Sequence, residues 1–382
     1  MAGFIVNLAK ALQRLNLYIE SGIYGTRISP SAARRKVNLM TLADYVIMRP
    51  GDLIFFFQDR LIYGIGEITG FEFTDKPCVL CNFPNSYILD HPAKEPYLWN
   101  EDKDPTIRWR IFFQPYPCFF KQGVDMDEVL QSDTNKVVRA LPLFWNRSFL
   151  NVEDDEANLI AQTILRRNKG RDSDVFMNRS QITRSLVREK LKTLDFTLNL
   201  DDFVNYYSSL NDFPEAALQV WLVGNLALRM PTVTKIFGNW DYICNLYPAS
   251  PVKPRAYVDE IDVFGYSLAE APKGIRPYIQ TFKIIEIKVD PQSYRPPNVV
   301  DQVMKYVDWI SITRAGGDYG QVEAYVVAKD FDERLVQYVR EQAVRRYITP
   351  RRPYTTNEWN NLKLVRYHLT GKTPAIELEF MA

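Results

Sequence analysis

Alternating apolar and polar residues mark two neighbouring strands in the second half of the chain. In FKIIEIKVD, Ile285, Ile287 and Val289 share one face while Glu286 and Lys288 share the other, because successive side chains of a strand point opposite ways. The upstream segment VDEIDVFG places Glu260 and Asp262 together in the same manner. Turn residues between the two segments, at 271–274, predict that they pair as a hairpin with acids facing acids.

Helical patterns flank these strands. The segment DFPEAALQVWLVGNLAL predicts a helix with Asp212 near its cap, Pro214 in the first turn and Glu215 just behind it. After the strands, NVVDQVMKYVDWI predicts a helix that carries Gln302 and Tyr306 four residues apart on one face. Three further segments complete a mixed α/β order, namely VEAYVVAKD as a strand, ERLVQYVREQAVRRYI as a helix and NLKLVRYHLTGKTPAIELEF as two strands.

The first half of the chain is typical of a small barrel with helices. GFIVN predicts a strand, and the long apolar runs of RPGDLIFFFQDRLIYGIGEITGFEF, broken at residues 58–60, predict a hairpin. Trp109 lies in a further strand pattern, and NRSFLNVEDDEANLIAQTILRRN predicts a capped helix with Asn151 before its acidic first turn. The polar segment NKGRDSDVFMNRSQ is a linker pattern, and the helical segments SLVREKLKTLDFTL and LDDFVNYYSSL follow it as a connector.

Length and composition favour two soluble domains. The 382 residues exceed what one core usually organises, and 46% hydrophobic residues suffice for two cores. With 47 basic and 46 acidic residues, the net charge of +1 argues against indiscriminate coating of DNA but leaves a local basic surface open. The first residues lack the features of a secretory signal and no stretch is long enough to span a bilayer, which favours a cytoplasmic protein with reduced thiols.

Cysteine and glycine motifs give no sign of a zinc or nucleotide site. The CVLC segment has zinc spacing, but no second pair or histidine cluster completes it, and we interpret the four cysteines as core residues. The glycines of GIGEITG have the wrong spacing for a dinucleotide fingerprint, and the GKT of the tail lacks the upstream glycine of a phosphate loop. We therefore expect no nucleotide cofactor.

The acids and lysine of the paired strands predict a metal-dependent hydrolytic site. Adjacent carboxylates need a cation, hard oxygen ligands suit Mg²⁺, and a lysine beside them can orient or activate water. An aspartate followed by Glu-x-Lys on neighbouring strands resembles the PD-(D/E)XK nuclease superfamily, and Gln302 with Tyr306 resembles the Gln-x-x-x-Tyr element of its RecB-like branch. Each signal alone has a simpler interpretation as a solvated strand or helix face, and their order along the chain favours the nuclease.

The resemblance implies a role for each residue of this site. Asp262, Glu286 and the backbone carbonyl of Ile287 would hold Mg²⁺, for which Mn²⁺ could substitute, and Glu215 would complete the outer arrangement. Lys288 would position or deprotonate the attacking water. In the same scheme Gln302 and Tyr306 would orient Lys288 or the phosphate, and Glu260 would be the alternative metal acid.

The N-terminal segments resemble the PUA-like superfamily, specifically its EVE and YTH members. SGIYGT is similar to the YTH segment that bears the first aromatic of a base cage, with Tyr24 at the cage position, and WNEDK is similar to the loop that bears the second, at Trp99. Asp104 stands where a third aromatic is expected. The resemblance implies a pocket in which a flipped modified base stacks between aromatic rings, although each aromatic would also suit ordinary packing.

Together the resemblances predict a base-reader domain at residues 1–168, a linker and helical connector at 169–211, and a nuclease domain at 212–382. They imply a modification-dependent endonuclease acting on double-stranded DNA that carries methylated cytosine or adenine, with a homodimer needed to cut both strands. Two alternatives stay open. A NucS-like nuclease for mismatched or branched DNA shares the C-terminal pattern, and a non-catalytic nucleic-acid-binding protein would keep the folds without the reaction.

Overall fold

The computed structural model divides the chain into two compact units, Met1–Leu198 and Asn199–Ala382. It describes residues 2–8, 12–29, 34–69, 80–82, 107–132, 147–176, 185, 198–210, 213–249, 259–290 and 298–381. Both units combine helices with β-sheets, so the predicted mixed α/β class is confirmed. Within these residues no helix is both long and apolar enough to cross a bilayer.

The first unit is organised around a sheet of eight strands, in the main order β2-β6-β4-β3-β1-β8, with β5 added beside β6 and β7 beside β4. The strands are β1 (Gly3–Asn7), β2 (Ile23–Arg27), β3 (Leu53–Gln58), β4 (Leu61–Thr69), β5 (Leu80–Asn82), β6 (Ile107–Pro115), β7 (Val124–Asp125) and β8 (Phe149–Val152). The described helices are α1 (Leu12–Ser21), α2 (Arg35–Ile47), α3 (Met126–Gln131) and α4 (Asp154–Arg167), with a 3₁₀ turn at Asp172–Asp174.

The predicted hairpin of the first unit is confirmed. Strands β3 and β4 pair antiparallel across a two-residue turn, and both turn residues, Asp59 and Arg60, have positive φ angles of 49° and 67°. Two positive φ values give the turn the twist that matches paired strands. Helix α4 also forms as predicted, but its cap differs. Asn151 lies in strand β8, and Glu153 is the N-cap, with a capping box to Glu156.

The second unit is organised around a mixed sheet of six strands in the order β16-β15-β12-β11-β10-β9. Its strands are β9 (Tyr242–Pro248), β10 (Glu260–Leu268), β11 (Ile279–Lys288), β12 (Val322–Ala328), β13 (Arg345–Ile348), β14 (Thr356–Trp359), β15 (Leu362–Leu369) and β16 (Ile376–Phe380). Strands β13 and β14 form a separate two-stranded hairpin. The described helices are α5 (Leu200–Ser208), α6 (Glu215–Ala227), α7 (Pro231–Phe237), α8 (Asn298–Thr313) and α9 (Glu333–Gln342), with a 3₁₀ turn at Tyr319–Gln321.

The centre of this sheet is parallel. Strands β11, β12 and β15 pair parallel, and helices α8 and α9 provide the crossovers that parallel neighbours need. Apolar residues on both faces of β11 and β12 are buried, as a sheet covered by helices requires. One predicted element is wrong in extent, since the helix expected to continue through YI at 347–348 ends at Gln342, and Arg345–Ile348 is strand β13.

Helix α5, which the sequence suggested as part of the connector, belongs to the second unit and is tied to it at two points. The side chain of Asp201 accepts hydrogen bonds from the indole of Trp221 on α6 at 3.1 Å and from the backbone N–H of Ala375 at 3.0 Å. Phe203 and Tyr207 of the same helix are buried. The other predicted connector helix lies almost wholly outside the described residues.

Candidate active site

The predicted acids meet at one end of strands β10 and β11. The strands pair antiparallel with Val263 opposite Ile285, so the next residues along each strand, Asp262 and Glu286, are neighbours. Burial follows the predicted alternation along the start of β10, where Ile261 and Val263 are buried and Glu260 and Asp262 are partly exposed. The hairpin predicted from the sequence is therefore confirmed, and with it the meeting of an acid from each strand.

The carboxylate of Asp262 is held against the neighbouring strand. Its Oδ2 accepts a hydrogen bond from the backbone N–H of Ile287 at 2.7 Å. Ile287 was predicted to contribute its carbonyl to a metal, and the structure shows its N–H fixing the orientation of Asp262. This contact fixes one oxygen of Asp262 close to the Glu-x-Lys segment.

Glu286 is a buried carboxylate with one paired and one unpaired oxygen. Its side chain is 1% exposed, and Oε1 accepts a hydrogen bond from Nζ of Lys288 at 2.5 Å. The other oxygen, Oε2, is buried without a hydrogen-bond partner among the described residues. A buried polar atom without a partner is energetically costly, so Oε2 marks a position where a ligand would be stabilised.

The charges of the cluster shift the pKa values of its members. Burial raises the pKa of Glu286 to about 8, the charges of Asp262 and Glu215 add to the increase, and Lys288 opposes it. Burial alone would lower the pKa of Lys288, but the charges of Glu286 and Asp262 outweigh it and the pKa lies above its ordinary value. The lysine is therefore an ammonium at neutral pH.

Helix α6 brings Glu215 to the cluster. Pro214 is the N-cap and Glu215 the first helical residue, one position earlier in the helix than predicted, while Asp212 lies outside the described residues. One turn later, the buried Gln219 donates from Nε2 to the backbone carbonyl of Asp262 at 2.8 Å and to Oδ1 of Asn245 at 2.6 Å. Gln219 thus ties the helix that bears Glu215 to the strand that bears Asp262.

Helix α8 contacts the acid-bearing strand β10 through Tyr306, which is hydrogen-bonded to Gln302. The hydroxyl of Tyr306 donates to the backbone carbonyl of Glu260 at 2.9 Å and accepts a hydrogen bond from Nε2 of Gln302, also at 2.9 Å. Burial, followed by the charges of Glu286 and Asp262, raises the pKa of Tyr306 well above its usual value. The phenol therefore stays protonated, and the pair braces the start of β10; its predicted role in orienting Lys288 or the phosphate stays a prediction.

The donor set suits a hard divalent cation with an incomplete protein shell. Among the described residues, no group of three or more His, Cys, Asp and Glu side chains is arranged to hold an ion alone. Mg²⁺ needs no such cage, because it commonly uses one or two carboxylates together with waters and substrate phosphate oxygens. Asp262 and the unpartnered Oε2 of Glu286 fit that requirement.

The structure thus brings six of the eight predicted side chains into one region, namely Glu215, Asp262, Glu286, Lys288, Gln302 and Tyr306. Sequence reasoning missed Gln219 and Asn245. The available signal was a polar residue inside the apolar run AALQVWLV, at a position that the helix buries. Of the two predicted base-binding residues, Trp99 lies outside the described residues.

Tyr24 has the position of a core residue. It is 4% exposed and packs against Tyr18, Phe149 and Phe56, with ring centroids 5.0, 5.7 and 6.1 Å away. Its hydroxyl accepts a hydrogen bond from Thr26 at 3.4 Å. Stacking of a base on this ring would displace these neighbours, so the base-binding role of Tyr24 stays a prediction without support from its packing.

Comparison with known proteins adds no identification. No protein-family model matches the chain, and no curated protein sequence matches it.

Proposed function

We propose that the second unit is a metal-dependent endodeoxyribonuclease of the PD-(D/E)XK type, with Mg²⁺ as its cofactor. The observation that supports this most strongly is the buried Glu286 with one oxygen against Lys288, the other unpartnered, and Asp262 on the adjacent strand. Burying a carboxylate in this way is unfavourable for stability alone. A catalytic use is the simplest reason for the chain to keep it there.

The side chains have distinct tasks in this proposal. Asp262 and Glu286 would hold Mg²⁺, which when bound supplies Lewis-acid polarisation of the phosphate and a more acidic water. The ammonium of Lys288 stays charged, so it orients the water and offsets negative charge on the phosphate rather than acting as the initial base. Gln219 and Tyr306 keep the two acid-bearing elements in place.

The proposal for the first unit is that it recognises a modified base, so that cutting is restricted to altered, foreign DNA. Its support is the resemblance of residues 21–26 and 99–103 to YTH segments, and the packing of Tyr24 lends it none. Because one site cuts one strand, a double-strand break would need two copies acting on the same DNA.

Cleavage of matched DNA duplexes in Mg²⁺ tests the proposal. The duplexes differ only in carrying methylcytosine, hydroxymethylcytosine, methyladenine, a mispair or no change. We expect cutting of a modified duplex, lost in Lys288→Ala and kept in Lys329→Ala, which removes an exposed lysine just after β12.

Each other outcome excludes part of the proposal. Equal cutting of all duplexes would remove the reader assignment and keep the nuclease. Cutting of the mispaired duplex alone would favour the NucS-like alternative. Binding without cutting in Mg²⁺ or Mn²⁺ would leave a non-catalytic binding protein.

A further inference from the structure

The β13–β14 hairpin is the most arginine-rich exposed element of the second unit within the described residues. Its segment RRYITPRRPYTTNEW contains four arginines and one acid, Glu358. Arg346 has a side chain 82% exposed, and within the described residues its one ion pair is a long contact of 3.4 Å with Glu358. Arg351 and Arg352 at the tip are exposed, and neither forms an ion pair with a described carboxylate. The hairpin therefore presents uncompensated positive charge to solvent.

The base of this hairpin is firmly anchored. Arg345 forms a bidentate pair with Asp308 of helix α8, at 2.9 and 3.0 Å. The indole of the buried Trp359 donates to the carbonyl of Val322 at 2.8 Å, and Tyr347 packs against Tyr319 with ring centroids 5.4 Å apart. These contacts fix the base of the hairpin against the rest of the second unit.

Hydrogen bonds between Thr349 and Thr355 close the tip of the hairpin. The N–H of Thr349 donates to the carbonyl of Thr355 at 2.9 Å, and the two hydroxyls lie 2.9 Å apart, which closes the loop PRRPY. The guanidinium of Arg352 lies over the ring of the exposed Tyr354, 5.9 Å from its centroid. Because these contacts already restrain the loop, a ligand that pairs with its arginines loses less conformational entropy on binding.

The hairpin stands away from the candidate active site. Val322, to which Trp359 is bonded, is the first residue of β12, whereas Lys288 pairs with Ala328, the last. Six residue steps along a strand span roughly 20 Å. A hairpin whose base is anchored at that distance from Lys288 is placed to contact the DNA backbone beside the phosphodiester under attack.

We infer that the β13–β14 hairpin is a clamp for the phosphate backbone of duplex DNA, with Arg351 and Arg352 as its contact residues. The inference rests on the proposed nuclease function and specifies how the second unit holds its substrate. Arginine forms bidentate hydrogen bonds with phosphate and is the usual residue for such contacts. These contacts carry no sequence information, so the clamp serves affinity and leaves target choice to other parts of the protein.

Binding of a fluorescein-labelled, unmodified DNA duplex to the full chain, measured by anisotropy in EDTA across a range of salt concentrations, tests the clamp. We expect Arg351→Gln/Arg352→Gln to weaken binding about tenfold near physiological salt, and to make the slope of log affinity against log salt shallower by about 2. The control Lys235→Gln/Arg334→Gln removes the same two charges from exposed helix surfaces. It should leave affinity and slope close to those of the unchanged protein.

A single-turnover cleavage assay separates this inference from the proposed function. At saturating DNA in Mg²⁺, the hairpin variant should cut as fast as the unchanged protein, whereas Lys288→Ala should bind normally and not cut. Equal affinity and slope in the hairpin and control variants would overturn the clamp, and would point instead to an acidic protein partner for these arginines. Loss of cutting at saturation in the hairpin variant would also overturn it, by placing the tip in the reaction itself. Normal binding with no cutting by the unchanged protein would overturn the nuclease and keep the clamp.

Discussion

Glu286 is a buried carboxylate whose ionisation is linked to the stability of the fold. Its carboxylate is 1% exposed and lies near Asp262 and Glu215. Burial and these two negative charges oppose its ionisation, and the positive charge of Lys288 favours it. Its pKa of about 8 means that the folded state holds a proton which the unfolded chain releases near its ordinary value of 4.5. Stability and site chemistry are therefore linked through this one group.

This linkage predicts a pH-dependent stability difference between the unchanged protein and Glu286→Gln. Between pH 4.5 and pH 8 the folded protein binds more protons at this position, so the free energy of unfolding falls as pH rises, by about 2 to 4 kcal/mol. The raised pKa of Lys288 acts only at higher pH and does not enter this window. Urea unfolding in EDTA at several pH values measures the difference. Glu377→Gln, on an exposed position of β16, is the control and should parallel the unchanged protein.

Tyr306 allows a second prediction at this scale. Its hydroxyl is the link between Gln302 and the carbonyl of Glu260, and its pKa is raised, so it stays a donor. Tyr306→Phe keeps the buried ring and leaves that carbonyl without this donor. We expect a loss of about 1 kcal/mol in unfolding free energy and a slower single-turnover cleavage with unchanged DNA affinity. Unchanged cleavage would mean that the brace is structural only.

Helix α6 shows how an element is positioned by a residue that carries no charge. Gln219 donates hydrogen bonds to the backbone carbonyl of Asp262 and to the side chain of Asn245, the first partly buried and the second buried. Gln219→Leu would leave those acceptors without their donor, at a cost of about 1 to 3 kcal/mol. Because Glu215 sits one turn earlier on the same helix, we expect cleavage to need more Mg²⁺ for half-maximal rate. A melting curve measures the loss of stability of the variant, and a Mg²⁺ titration of its cleavage rate measures the change in Mg²⁺ requirement. Gln219→Glu removes the donor and adds a charge, so it should lower stability further and raise the Mg²⁺ requirement further. Wild-type values for either variant would contradict the positioning role.

Local sequence patterns predicted the strands and helices that carry the site, but they did not predict the residues that hold these elements together. The β10–β11 hairpin and helix α8 follow from alternation and helical spacing, which are properties of a few adjacent residues. The role of Gln219 depends on which strand the helix packs against, which the segment AALQVWLV does not encode by itself. Strand β13 was missed because AVRRYI continues a helical pattern, and the contacts of Arg345 with Asp308 and of Trp359 with Val322 override it. The sequence alone does not decide the role of Tyr24, because an aromatic residue in a strand suits a core and a base pocket equally.

At the scale of the whole molecule, each unit has its own sheet and its own core. The boundary between them predicts which fragment folds.

Residues 199–382 include α5, whose Asp201 links Trp221 to Ala375, and we expect them to unfold cooperatively in a thermal melt. The shorter fragment 212–382 lacks these bonds and the buried Phe203 and Tyr207, and it should melt at a distinctly lower temperature or aggregate. If the nuclease proposal holds, the longer fragment should cut DNA regardless of base modification. Equal melting of the two fragments would contradict the assignment of α5.

Strand β11 also constrains how this chain can vary in length. Lys283 is buried against the end of helix α7, where its Nζ donates to the carbonyls of Phe237 and Asn239 at 2.7 and 3.2 Å, and Gly238 with φ of +67° leaves room for it. Glu286, three residues on, faces the opposite side of the sheet. Inserting or deleting one residue between them would place a charge in the wrong layer on one side or the other. Related sequences should therefore differ in length within the exposed turn before β11, at 269–278, and keep a fixed count from Lys283 to Lys288.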